Sequence, residues 1–208
     1  MTNWYPRATS YPGPSVKIQT GRNPAAGVVL HSMVGFRAGA HSVLENVEGP
    51  RKTVAWHFSV LQDGTVEQHY PIDVILHHAG NRWANEHLIG IEHEGGFDPP
   101  DEPLTTAQQA ASVELVRWIA EQRSWTPART GDKTLYEHNE VSDTSTQCPS
   151  GRIPWPAYST NPLPALPPPA GPLDWGTFYM NGAKPVRVER RNPTSLTYVY
   201  EVHRFVKG

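Results

Sequence analysis

The stretch LIGIEHEGG, residues 88–96, narrows what this 208-residue chain can fold into more than any other. Its first four residues form a short apolar run of the kind found in strands buried on both faces, which are usually the central strands of a parallel or mixed sheet. Period-2 alternation then puts Leu88, Gly90, Glu92 and Glu94 on one face, with Ile89, Ile91 and His93 on the other. An ionised carboxylate is costly to bury without a partner. The acidic face must therefore be wet, be compensated by a cation, or carry out chemistry.

The flanking segments supply companions for such a strand. GVVLH, 27–31, is a second apolar run that ends in a histidine at the expected sheet edge. In 55–70 the residues Trp56, Phe58 and Val60 alternate with His57 and Ser59, and Asp63-Gly64 provides the turn of a hairpin. TLYEH, 134–138, is a short strand-like piece ending in His138. A weak helical stretch is expected from about Ala40. A long helix follows Thr105, whose pairing with Gln108 has the form of a capping box, and Ala107, Ala111, Leu115, Trp118 and Ile119 form its apolar stripe. Strands interleaved with helices predict an α/β domain: a mixed central β-sheet flanked by helices. Residues 1–26 read as an irregular arm over that domain.

The pattern changes near residue 158. NPLPALPPPAGP, 161–172, is a polyproline-type spacer that cannot pack as a core. Alternation in VRVER and LTYVYEV predicts a hairpin or three short strands beyond it, carrying six basic residues against three acidic. The expected division is a main domain at 1–158, a Pro-rich linker at 159–172 and a short basic β extension at 173–208. The extension is too small to stand alone, so it docks on the main domain, pairs with a second copy to give a homo-oligomer, or binds a polymer. With 18 basic and 20 acidic residues there is no global electrostatic case for nucleic acid as a partner. No apolar run approaches the roughly 20 residues that span a bilayer, and the first residues lack the pattern of a Sec-type export signal. The expectation is a protein made in the cytoplasm, with no membrane partner.

Three residues at element ends have the chemistry of metal ligands: His31 after VVL, His138 after LYE, and Cys148, the single cysteine, in STQCPSGRIPW. Two imidazoles and a thiolate suit Zn²⁺, and three protein ligands leave a fourth position open for water, as in catalytic sites. The spacing fits no compact zinc finger. On spacing alone the metal signal is weak, and a buried free thiol with two hydrogen-bonded histidines is the alternative reading.

Taken in order, GVVLH, AWHFSVLQDGTVEQ, HHAGN, IGIEHEG and EHNEVSDTSTQCPSGRIPW resemble the zinc-dependent N-acetylmuramoyl-L-alanine amidases of the type 2 family. That family includes phage lysins and is related to the peptidoglycan recognition proteins. The resemblance covers roughly residues 4–158. It implies that His31, His138 and Cys148 hold the zinc and that Glu92 is the catalytic carboxylate. Thr146 stands where many members carry a lysine that donates to the oxyanion, and where active recognition proteins carry threonine. Trp56 stands where some relatives place a tyrosine hydroxyl, and a tryptophan can donate only through its indole nitrogen. The HHAGN block lies beside the substrate in relatives, which makes His78 and Asn81 candidate substrate contacts; for His78 a structural imidazole is the alternative. His93, Glu94 and His57 are expected to be structural.

The implied partner is peptidoglycan, cut at the bond between N-acetylmuramic acid and L-alanine. The spacer and basic extension favour a lysin that reaches the bacterial wall when the cell lyses or a pore opens. Two variants share the fold: a module that binds peptidoglycan without cutting it, and a cytoplasmic enzyme that recycles muropeptides. A cysteine hydrolase built on Cys148 and His138 is a rival of another class, and it would need an activated thiolate.

Overall fold

The strand 88–93 does become the centre of a sheet, and its neighbours explain why it can be apolar on both sides. The computed structural model describes residues 3–159, together with the backbone strands at 174–178 and 186–190. Its main sheet has six strands: β1 (Thr9–Ser10), β2 (Gly27–Ser32), β3 (Phe58–Val60), β4 (Val66–Gln68), β5 (Leu88–His93) and β6 (Leu135–Glu137). They lie in the order β1-β4-β3-β5-β2-β6. All pairs are parallel except the β3–β4 hairpin, so the sheet is mixed, as the alternation of strands and helices predicts. At the hairpin tip Gly64 has φ 86°, and the Asp63 carboxylate accepts from the Thr65 N–H at 2.8 Å. This is the turn chemistry expected of Asp-Gly.

Each face of the sheet has its own cover. Val28 and Leu30 of β2 and Ile89 and Ile91 of β5 pack with Val113, Leu115, Val116 and Ile119 of α3 (Thr106–Arg123). The alternate residues, Val29 and Leu88, pack on the opposite side with Ala79 and with Ala84 of α2 (Arg82–His87). Glu92 and His31 therefore share the α2 side of the sheet. α1 (Arg37–Glu45) packs Ala40 and Leu44 against Ala55, Trp56, Tyr70 and Leu76. Two short helices, α4 (His138–Val141) and α5 (Trp155–Ser159), follow β6. Among the described residues no helix is long and apolar enough to cross a membrane.

Two local expectations are revised by long-range contacts. α1 starts at Arg37, three residues before Ala40, because Glu94 at the end of β5 accepts the Arg37 N–H at 2.9 Å. A carboxylate on the first-turn N–H groups stabilises a helix start, and here it comes from a distant strand. In α3 only half of the capping box forms. Thr105 accepts the Gln108 N–H at 3.0 Å, but the Gln108 side chain donates to the carbonyls of Val60 and Glu94, clipping β3 to β5.

The N-terminal arm is more ordered than its composition suggests. It adds edge strand β1, and Lys17 is fully buried with its ammonium donating to the Val43 and Val54 carbonyls at 2.8 and 2.9 Å. In the extension, β7 (Asp174–Phe178) pairs antiparallel with β8 (Val186–Arg190), which is the VRVER segment. The Pro-rich linker and LTYVYEV lie outside the described residues.

Candidate metal centre

Register brings the site together. In the parallel β2–β5 pair His31 stands directly opposite Glu92, and in the β2–β6 pair Leu30 stands opposite Glu137, which puts His138 beside His31. The carboxyl ends of three adjacent strands thus converge, at the edge where an open α/β sheet builds its sites. Cys148 reaches them from the following loop. Its carbonyl accepts the Asn139 N–H at 2.9 Å, and its sulfur accepts the Ser32 N–H at 3.2 Å. Those two bonds tie the loop to both histidine-bearing segments.

One ligand atom from each of His31, His138 and Cys148 lies within 4.8 Å of the other two. Donors of a single tetrahedral zinc stand roughly 3.5 Å apart, so small side-chain rotations close this triad on one ion. No other group of three or more such side chains clusters among the described residues. The His31 and His138 rings are 4.5 Å apart between centroids. Burial lowers the pKa of both, with His78, His138 and His93 adding to the effect at His31 and a hydrogen bond to the Ala79 carbonyl opposing it at His138, so they are neutral imidazoles with lone pairs to give. Burial also raises the Cys148 thiol, to about 12, with the nearby Glu92 carboxylate adding to the effect. Such a thiol holds almost no thiolate at neutral pH without a cation, which removes the support for a cysteine nucleophile. A metal ion would deprotonate it outright.

Glu92 faces this triad. Its Oε1 is 3.9 Å from His31 Nδ1, and its Oε2 is buried without a hydrogen-bond partner. Burial lifts its carboxyl to about 8, against a lowering pull from Arg152. An unpartnered buried carboxylate oxygen beside three metal-ligating side chains is costly in isolation. A dication held by those side chains would compensate it. The donor set, its spacing and this oxygen together fit zinc.

The other expected residues divide. Thr146 stays in the ligand loop, where its Oγ1 accepts the Cys148 N–H at 3.2 Å and keeps its own proton to donate. Trp56 packs beside α1. It is 5% exposed in the α1 cluster, and its indole N–H donates to Ser59 Oγ at 2.9 Å. Asn81 is likewise occupied: it caps α2 by accepting the Ala84 N–H at 2.9 Å and donates to Asp143 Oδ1 at 2.7 Å. His78 is buried, with Nε2 against the Leu88 carbonyl and Nδ1 against His31 Nε2, so its ring faces the ligand and not the cleft. His93 bridges the His31 carbonyl and Ser112, Glu94 caps α1, and His57 bonds Val74 and Gly90; all three are structural, as expected.

Several positioning groups left no sequence signal. Arg152, 3% exposed, donates to the carbonyls of Glu102, His93 and Glu94 and to Ser32 Oγ, holding the ends of β2 and β5 under the site. Glu140 accepts the Glu137 N–H and a two-pronged contact from Arg129 at 2.6 and 2.7 Å, which fixes the turn that presents His138. Asn85 accepts the N–H groups of His78 and Ala79. A separate cavity of about 790 Å³, lined in part by Tyr5, Trp118 and Trp125, includes none of the triad.

The family model described as N-acetylmuramoyl-L-alanine amidase matches residues 21–151. No curated protein matches the chain. Similar solved structures include the N-acetylmuramoyl-L-alanine amidase LysC from Clostridium intestinale, with 19% identity and a TM-score of 0.52, covering 73% of this chain and 94% of that one. A mutant endolysin from Bacillus subtilis has 19% identity and a TM-score of 0.56, over 73% and 96%. A selenomethionine derivative of AmpD has 18% identity and a TM-score of 0.57, over 76% and 96%. At such identities these likenesses establish the shared fold.

Proposed function

The chain belongs to the N-acetylmuramoyl-L-alanine amidase family, and from that premise we propose that the cleft at His31, Glu92, His138 and Cys148 performs the reaction with zinc, on the peptidoglycan of bacterial walls. The observation that carries this reading is the convergence of the three ligand side chains opposite the unpartnered Glu92 oxygen. His31, His138 and Cys148 would hold the metal. Bound there, zinc acts as a Lewis acid on the scissile carbonyl and lowers the pKa of water.

The chain's own residues manage the protons. Glu92 accepts one from the attacking water and passes it to the leaving amine of L-alanine, a two-way task suited to a carboxyl whose pKa burial has raised. The Thr146 hydroxyl, oriented by the Cys148 N–H, supplies a donor for the tetrahedral oxyanion. With one thiolate and two neutral imidazoles as ligands, the site would keep a net positive charge when loaded, and Glu92 beside it would be ionised before attack.

Structural relatives include both endolysins and AmpD. The lysin role is favoured by the Pro-rich spacer and the basic extension, features suited to holding an enzyme on an anionic polymer. The test is mass spectrometry of products from intact walls and, separately, from soluble muropeptides. Free stem peptides beginning in L-alanine are expected from both, with intact walls digested efficiently. Disaccharides or trimmed peptides would overturn the bond assignment. Turnover of soluble fragments alone would overturn the lysin role.

A further inference from the structure

Neutral histidine has one protonated and one unprotonated ring nitrogen, so a metal can bind only on the side that the proton leaves free. Around His31 the hydrogen bonds decide which side that is. His78 Nε2 lies 3.2 Å from the Leu88 carbonyl, and a carbonyl only accepts; the His78 proton is therefore on Nε2. Its Nδ1 is then an acceptor, and it lies 3.2 Å from His31 Nε2, with the two rings nearly perpendicular at 82°. His31 must carry its proton on Nε2 to make that bond. Its Nδ1 keeps a lone pair, on the side that faces Glu92.

We infer that His78 is a positioning residue that fixes the metal-binding tautomer of His31, making Nδ1 the donor atom. The inference rests on the proposed metal site and deepens it.

The surroundings of His78 hold its ring in place. Its backbone N–H and that of Ala79 both bond Asn85 Oδ1, at 2.9 and 2.8 Å. Beneath the ring lies Gly90, where an added Cβ would come within 2.7 Å of His78 Cγ and 2.9 Å of Nδ1. The glycine in the middle of LIGIEHEGG is thus the floor of the imidazole, a close approach that no side chain permits. The acceptor is also chemically unusual. Metal-bound histidines commonly donate to a carboxylate or a carbonyl, and a carboxylate would push electron density into the ligand. A neutral imidazole accepts without adding charge. His31 stays a neutral ligand, and the net positive charge opposite Glu92 is preserved.

The test uses zinc affinity, measured by chelator competition on the full chain, and long-range ¹H–¹⁵N NMR of the zinc-loaded protein. In the wild type the spectra should show His31 protonated at Nε2 and metallated at Nδ1. His78→Leu, which removes the acceptor, should weaken zinc about 10- to 100-fold. His78→Asn, which puts an oxygen near the Nδ1 position, should stay within about threefold of wild type, whereas a purely packing role would weaken both alike. Gly90→Ala, which displaces the ring without touching either histidine, should resemble His78→Leu. Metallation of His31 at Nε2, or unchanged zinc affinity in His78→Leu, overturns the inference and leaves the amidase reading standing. Failure of the wild type to bind zinc overturns that reading instead.

Discussion

Replacing Cys148 with alanine should cost about 100- to 1,000-fold in zinc affinity, roughly one ligand's share of a structural or catalytic zinc site. Wall hydrolysis should fall to background at submicromolar free zinc. The sulfur is the only thiol in the chain, and besides the metal proposed for it, it holds the ligand loop through Ser32. Its loss removes the one anionic donor, leaving two imidazoles that bind a divalent ion far more weakly. Excess zinc should restore part of the activity to Cys148→Ala, and Cys148→Asp, which offers a carboxylate of suitable type, should retain more affinity than alanine. A protein that hydrolyses walls equally well after alanine replacement and chelation would contradict the metal role of this residue. The same series tests the cysteine hydrolase, whose activity would vanish with the thiol and ignore the chelator.

Glu92→Gln should lower kcat by about 10²- to 10⁴-fold while leaving zinc bound, because it keeps the shape of the side chain and removes its capacity to take a proton. In the wild type, activity should fall as pH drops, since protons quench Glu92 and compete for the ligands. A second readout separates chemistry from folding. Without metal, burial raises the Glu92 carboxyl to about 8, whereas in the unfolded chain it titrates near its ordinary value of about 4.3. Between those values the folded state holds a proton that the unfolded state has released. The group's contribution to stability is therefore present at low pH and is lost as pH rises toward 8. Glu92→Gln escapes this loss, so the metal-free variant should melt several degrees above metal-free wild type at pH 7.5, with the gap closing below pH 4. A variant that is inactive and also less stable would point to a structural role.

The strands of this fold are written into local sequence, and so is the position of the site. GVVLH and LIGIEH are apolar runs that end in polar residues, and both became neighbouring central strands whose register sets His31 opposite Glu92. What local pattern cannot carry is the partner of a side chain. The start of α1 was obscured because its cap, Glu94, lies on another strand. Gln108 has the right spacing for a capping box, yet its side-chain amide is turned inward to donate to the carbonyls of Val60 and Glu94, a contact no local spacing encodes. Asn81 and Trp56 sit in segments that relatives place near substrate, but a motif does not distinguish a residue that touches substrate from one that builds the wall behind it. Their bonds to Asp143, Ala84 and Ser59 are long-range or local contacts that the motif does not announce. His78 is the intermediate case: its ring lies against His31, the contact from which its positioning role is proposed. Arg152 and Glu140 were invisible because an ion pair or carbonyl clamp made across the fold has no fixed sequence spacing.

The central claim is that one divalent ion is gripped by His31, His138 and Cys148. X-ray absorption at the zinc edge on the purified, zinc-loaded protein tests it directly. The account predicts one zinc per chain with two imidazole nitrogens at about 2.0 Å, one sulfur at about 2.3 Å and a further light atom, and loss of the sulfur shell in Cys148→Ala. A wild-type spectrum with only oxygen and nitrogen neighbours, or one unchanged by that substitution, would contradict it.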